Sequence, residues 1–135
     1  MGNRGFVSLM ALVLLLAVVL LGLALGAQVK SYARTMQHTE LILRLDLAAK
    51  SGAERTAVDF MQERLTLGAE DTPISSYCED GIVTEVYAKA EGDGVILLAV
   101  AKEESAKFFW QDNRRNAKAF LAKGDEGYVW GAWLP

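Results

Sequence analysis

Catalysis needs a nucleophile beside a base, or several ligands within reach of one another, and this 135-residue chain has few residues of either kind. Cys78 is its only cysteine and His38 its only histidine. A lone cysteine closes no disulfide and builds no thiolate cluster within one chain. Cys78 therefore reads as a small, partly buried residue in a loop. His38 stands in a helical stretch of mixed polarity without a paired His, Asp or Glu at ligand spacing, and reads as a surface residue. The paired acids Glu103-Glu104 belong to a run of solvated charge. There is no Ser/His/Asp set, no HExxH and no phosphate-cradling glycine loop. The expectation is a chain that is not an enzyme and that has no metal site and no cofactor.

Binding chemistry is the next possibility. Phe108-Phe109-Trp110, followed by Arg114-Arg115 and Lys118, mixes aromatics with bases in the way of single-strand binders. The charge balance opposes that use. The formal net charge is −3, and residues 69–135 hold seven basic against twelve acidic side chains, a local net of −5 that repels a polyanion. DNA is therefore not an expected partner. Trp110, Trp130 and Trp133 read as core and subunit-interface residues rather than as a ligand box.

The elements that would position such residues begin with an apolar segment. No charge occurs between Arg4 and Lys30, and no polar side chain between Leu9 and Ala27. A helix of about 22 residues spans roughly 33 Å, enough to cross the hydrocarbon core of a bilayer. The run raises the apolar share to 52% and the mean hydropathy to +0.18. A cleaved secretory signal competes with an anchor, because Ala24-Leu25-Gly26 places small residues at signal-peptidase spacing. The apolar region is longer than the roughly 7–15 residues of a signal peptide and its basic region is a single arginine, which favours the anchor.

The order Asn3-Arg4-Gly5-Phe6, a very short basic leader ending in glycine ahead of phenylalanine and an apolar helix, resembles the processing site of type IV pilins and pseudopilins. The resemblance implies cleavage by a prepilin peptidase between Gly5 and Phe6 and methylation of Phe6 as the new first residue. It also implies residence in the inner (cytoplasmic) membrane with the C-terminal domain outside the cytoplasm, and other pilins or pseudopilins as partners. The assembly helix would then include Phe6, Met10, Gly22 and Gly26. Most family members carry glutamate as the fifth mature residue, where this chain has Met10. A carboxylate there needs a partner in hydrocarbon, and its absence points to a minor or tip-proximal subunit of a pilus, a type II secretion pseudopilus or a competence apparatus.

From Gln28 to about Gly68 no proline interrupts the chain. Leu41, Leu45, Ala49, Ala53, Ala57, Phe60/Met61 and Leu65 recur at spacings that make one apolar stripe, either a coiled-coil seam or a core-facing helix. Glu40/Arg44, Asp46/Lys50, Lys50/Glu54 and Arg55/Asp59 set opposite charges four apart on the other faces. The segment LDLAAKSGAERTAVDFMQERL resembles the corresponding part of minor pilins and competence-type pseudopilins, with Ala48-Ala49, Gly52, Ala57 and Leu65 at the matching places.

Asp71-Thr72-Pro73 breaks the helix, and a loop is expected to about Gly81. Ile82 to Ala88 and Gly94 to Ala101, joined by Glu91-Gly92-Asp93-Gly94, read as a β-hairpin. Asn116 to Ala122 and Tyr128 to Leu134 read as a second. The stretch from Glu103 to Asn113 reads as a strand extension or a short helix. The expected division is a leader (1–5), a transmembrane and assembly helix (6–27), its amphipathic continuation (28–68) and a small antiparallel β domain (69–135). The expected fold is α+β, pilin-like. Its long helix packs on a four-stranded antiparallel sheet through Leu45, Ala49, Gly52, Ala53, Ala57 and Phe60, and buries Val95, Leu97, Phe120 and Val129. The closing YVWGAWLP resembles the aromatic ends of minor pilin subunits.

Overall fold

The computed structural model describes residues 2–105 and 113–135. One helix, α1 (Gly2–Met61), is followed by five strands: β1 (Ser75–Glu79), β2 (Ile82–Glu91), β3 (Gly94–Glu103), β4 (Arg115–Gly124) and β5 (Gly127–Leu134). The layout is α+β. The chain divides into two compact units, one ending at Glu40 and the other running from Leu41 to Pro135. The aromatic triplet Phe108-Phe109-Trp110 lies outside the described residues, as does most of the stretch from Glu103 to Asn113.

The first unit is helix alone, and every described residue in it is exposed. It contains a stretch long and apolar enough to cross a membrane. Beyond that stretch, the hydroxyls of Thr35 and Thr39 donate to the carbonyls of Ser31 and Thr35 at 3.0 and 2.9 Å, which satisfies polar β-branched side chains without breaking the helix.

In the second unit α1 stops at Met61, seven residues before the expected end. Glu63 takes a left-handed φ of 58°. The Arg64 amide donates to the Asp59 carbonyl at 2.9 Å, and the Glu63 amide to the Phe60 carbonyl at 3.1 Å. This pair of reverse bonds is a Schellman closure, built here without glycine. Leu65 and Leu67 extend the apolar spacing past this point, so the pattern alone does not reveal the stop.

All five strands pair antiparallel in the order β1-β2-β3-β4-β5. The sheet thus has one strand more than expected. The segment Ser75–Glu79, expected as loop, pairs residue for residue with Ile82–Val86 across a two-residue turn. Asp80 and Gly81 in that turn have φ of 52° and 74°, the left-handed pair that matches strand twist. Cys78 is therefore exposed on a strand, not partly buried in a loop.

One face of the sheet packs on residues 45–60 of α1. Leu45, Ala49, Ala53, Ala57 and Phe60 form a single buried cluster with Val86, Val95, Leu97, Ala99, Ala119 and Leu121. Alanines supply much of this contact, so helix and sheet lie close. An added Cβ on Gly52 would stand 2.6 Å from Thr84 Cγ2. Two expected core residues lie elsewhere. Phe120 is only half-buried, and Val129 is 58% exposed. The cause is strand parity: Val95 and Leu97 face the helix, and across the β3–β4 ladder they oppose Leu121 and Ala119, which turns Phe120 to the other face.

Candidate functional site

The Gly5–Phe6 bond lies in the opening turns of α1, with Phe6 63% exposed. Among the described residues, nothing approaches within 4 Å of a Cβ built on Gly5, Gly22 or Gly26. Glycine inside a helix costs about 1 kcal/mol relative to alanine. Packing among the described residues offers no return for that cost at any of the three positions. Gly22 and Gly26, four apart, share one helix face, and Met10, half-exposed, stands four residues beyond Phe6.

In the second unit the structure brings Leu45, Ala49, Gly52, Ala53, Ala57 and Phe60 together as the buried face of α1. Around them lie polar contacts that sequence reading missed because they depend on β1. The hydroxyls of Thr56 and Tyr77 are 3.1 Å apart. Arg55, four residues before Asp59, turns instead to Glu79 at 3.5 Å and to the Tyr77 ring at 5.8 Å. Within α1 and its end, the Asp46/Lys50 pair expected from the spacing forms at 3.0 Å, and Asp59 pairs with Arg64 at 3.8 Å. These pairs are exposed and contribute little each.

His38 is exposed on α1, and Glu103 and Glu104 close β3 and open its turn. Among the described residues no group of three or more His, Cys, Asp or Glu side chains is placed to hold a metal ion. Cys78 Sγ lies 3.7 Å from Glu104 Oε2. Local desolvation, then the Glu104 charge and hydrogen bond, push the thiol pKa up. On the sheet face away from the helix, an open groove of about 700 Å³ runs over Ile96 and Leu98 between Tyr87, Lys118 and Leu134. The Tyr87 hydroxyl donates to Glu85 at 3.1 Å, and partial desolvation followed by that contact raises its pKa. Lys89 at the rim is paired with Glu70 at 3.8 Å.

The aromatics of β5 are arranged by an irregularity. Phe120 opposes Ala132 and Leu121 opposes Trp130, which leaves Gly131 as an extra residue. The bulge puts Trp130 and Trp133, three apart, on one face, with ring centroids 5.1 Å apart in an edge-on contact. Trp130 packs against the core, whereas Trp133 is 40% exposed. Comparison with models of known protein families, with curated proteins and with solved structures finds no match to this chain.

Proposed function

We propose that this chain is a minor pilin- or pseudopilin-like subunit of a type IV filament system, processed after Gly5 and assembled through its N-terminal helix. The carrying observation is the Asn3-Arg4-Gly5-Phe6 junction set directly against the apolar run. Support comes from the exposed helix glycines, which no contact among the described residues explains, and from a helix that leads into a small antiparallel sheet. In this reading the segment from Phe6 to Ala27 holds the subunit in the inner membrane. It then packs against neighbouring apolar helices, with Gly22 and Gly26 allowing close approach. Met10, which offers no carboxylate to a neighbour's terminal amine, supports a minor or tip-proximal place.

The deciding experiment is the intact mass and N-terminal sequence of the protein from its native membranes. A start at Phe6, carrying one extra methyl, is expected. A start at Met1 makes the chain a single-pass anchored binding module, and a start near Ala27 or Gln28 makes it a secreted domain. Gly5→Leu is expected to leave residues 1–5 attached, and normal processing of that variant would count decisively against the reading.

A further inference from the structure

The apolar segment ends in positive charge that has no counterpart nearby. Lys30 and Arg34 are the first bases after Ala27, and no acidic residue precedes Glu40. Four apart, the two share one face of α1, where like charges repel at a small cost to the helix. Farther along the chain, bases are answered by acids: Lys50 by Asp46 at 3.0 Å, Arg55 by Glu79 at 3.5 Å and Arg64 by Asp59 at 3.8 Å. Among the described residues no acid answers Lys30 or Arg34, and both are exposed.

Depth decides what meets them. α1 is unbroken from Gly2 to Met61, so each residue beyond the apolar run stands at a set height above it. At 1.5 Å per residue, Lys30 lies about 39 Å along the axis from Arg4, close to the roughly 40–45 Å of a bilayer with its headgroups. With Ala27 as the last residue in hydrocarbon, Lys30 stands about 4–5 Å out and Tyr32 about 7–8 Å, within a headgroup layer of roughly 5–8 Å. Arg34 begins about 10 Å out. Helical side chains tilt toward the N-terminus and a guanidinium stem snorkels, which returns its charge to that layer. Tyr32, 71% exposed on another face, has the amphipathic ring enriched at this level. His38 continues the basic face but stands roughly 16 Å out, past the headgroups.

A pair of cations without an acid, held at headgroup height, is complementary to lipids of net negative charge. We propose that Lys30, Tyr32 and Arg34 form a collar that binds anionic phospholipid headgroups at the C-terminal end of the membrane span. The two bases meet the negative charge, and Tyr32 is seated among the headgroups on the far side of the helix. The collar rests on the membrane residence proposed above for residues 6–27, and on neither processing nor assembly. Processing after Gly5 removes Arg4 and leaves the collar to fix the depth of the helix.

The full chain in non-ionic detergent is offered equal amounts of dioleoyl phosphatidylglycerol and dioleoyl phosphatidylcholine, and the lipid it retains is counted by native mass spectrometry. About 1 kcal/mol per base at an anionic surface is roughly fivefold each, so a preference for phosphatidylglycerol of up to about 30-fold is expected. Lys30→Gln or Arg34→Gln alone should lower it about fivefold, and the double variant should abolish it. Lys30→Arg combined with Arg34→Lys should keep it. His38→Gln should leave it unchanged, as should inorganic phosphate at the lipid's concentration. Equal retention of the two lipids, or a preference that survives the double variant, overturns the collar. Loss of the preference in His38→Gln overturns it too, because that side chain lies beyond the headgroups. Displacement of lipid by inorganic phosphate overturns it in favour of a free-anion site. A protein that leaves native membranes with the parent but not with the double variant, in the absence of any lipid preference, overturns it in favour of an acidic helix. The span is tested separately, by flotation with vesicles of phosphatidylcholine alone after an alkaline wash, where parent and double variant should both float. Failure of the parent to float overturns the membrane reading and the collar with it, whereas flotation without lipid preference overturns the collar alone.

Discussion

Cys78 shows how far a single residue's setting can differ from its expected one. Its position on an exposed strand would ordinarily make it a reactive thiol, but Glu104 Oε2 lies 3.7 Å from Sγ and disfavours the thiolate. The pKa is raised above the usual thiol value by desolvation and by Glu104, so the folded state holds the proton more tightly and the thiolate fraction at neutral pH falls. Alkylation of native Cys78 by iodoacetamide is therefore expected to be slower than that of an unfolded control, with its pH midpoint displaced upward. Glu104→Gln removes the charge and should move the midpoint down and raise the rate at neutral pH. Equal rates for parent and variant across the pH range would show that Glu104 does not act on the thiol. The residue's identity was plain in the sequence, but its partner, 26 positions away, was not, because the β1 pairing and the turn after β3 bring the two together.

Among the elements, the contact between α1 and β2 is governed by what Gly52 lacks. A Cβ there would stand 2.6 Å from the Thr84 methyl, and both residues are buried. Gly52→Ala gains about 1 kcal/mol in helix propensity and loses about 1–3 kcal/mol to overpacking, so a net loss of up to about 2 kcal/mol is expected. Thr84→Ser deletes the opposing methyl and should recover most of that loss in the double variant. Urea unfolding of the four proteins in the cycle measures the coupling, and strict additivity would mean that the two side chains do not meet. Such a contact is legible in part. The three-to-four spacing from Leu45 to Phe60 identifies the buried face of α1, and turn residues at Glu91-Gly92-Asp93-Gly94 and Lys123-Gly124-Asp125-Glu126-Gly127 identify both main hairpins. SSYCE has no apolar alternation, so β1 is visible only through its pairing with β2. The alternation in β4 separates Ala119 and Leu121 from Phe120, but it does not say which set meets the helix. Parity with Val95 and Leu97 decides that, and the bulge at Gly131 then decides where Trp133 stands.

At the scale of the whole chain, burial among the described residues is confined to the second unit. Every buried core residue among those described lies between Leu45 and Leu121, while the described residues up to Glu40 bury nothing. The first segment thus contributes exposed apolar surface, which is a cost in water rather than a source of stability. The acidic balance of residues 69–135, seven basic against twelve acidic side chains, favours solubility of the sheet domain once that surface is gone. A chain consisting of residues 41–135 is therefore expected to fold alone. It keeps the helix face from Leu45 to Phe60 and all five strands, and loses only the helical turns before Leu41, with fraying expected over the first turn to Arg44. Circular dichroism should show mixed helix and sheet content and one cooperative thermal transition. The midpoint should fall within a few degrees of that of the sheet domain in the detergent-solubilised full chain. Absence of a cooperative transition in the fragment, under conditions where the full chain has one, would show that residues before Leu41 support the core and that its stability is not confined to the second unit.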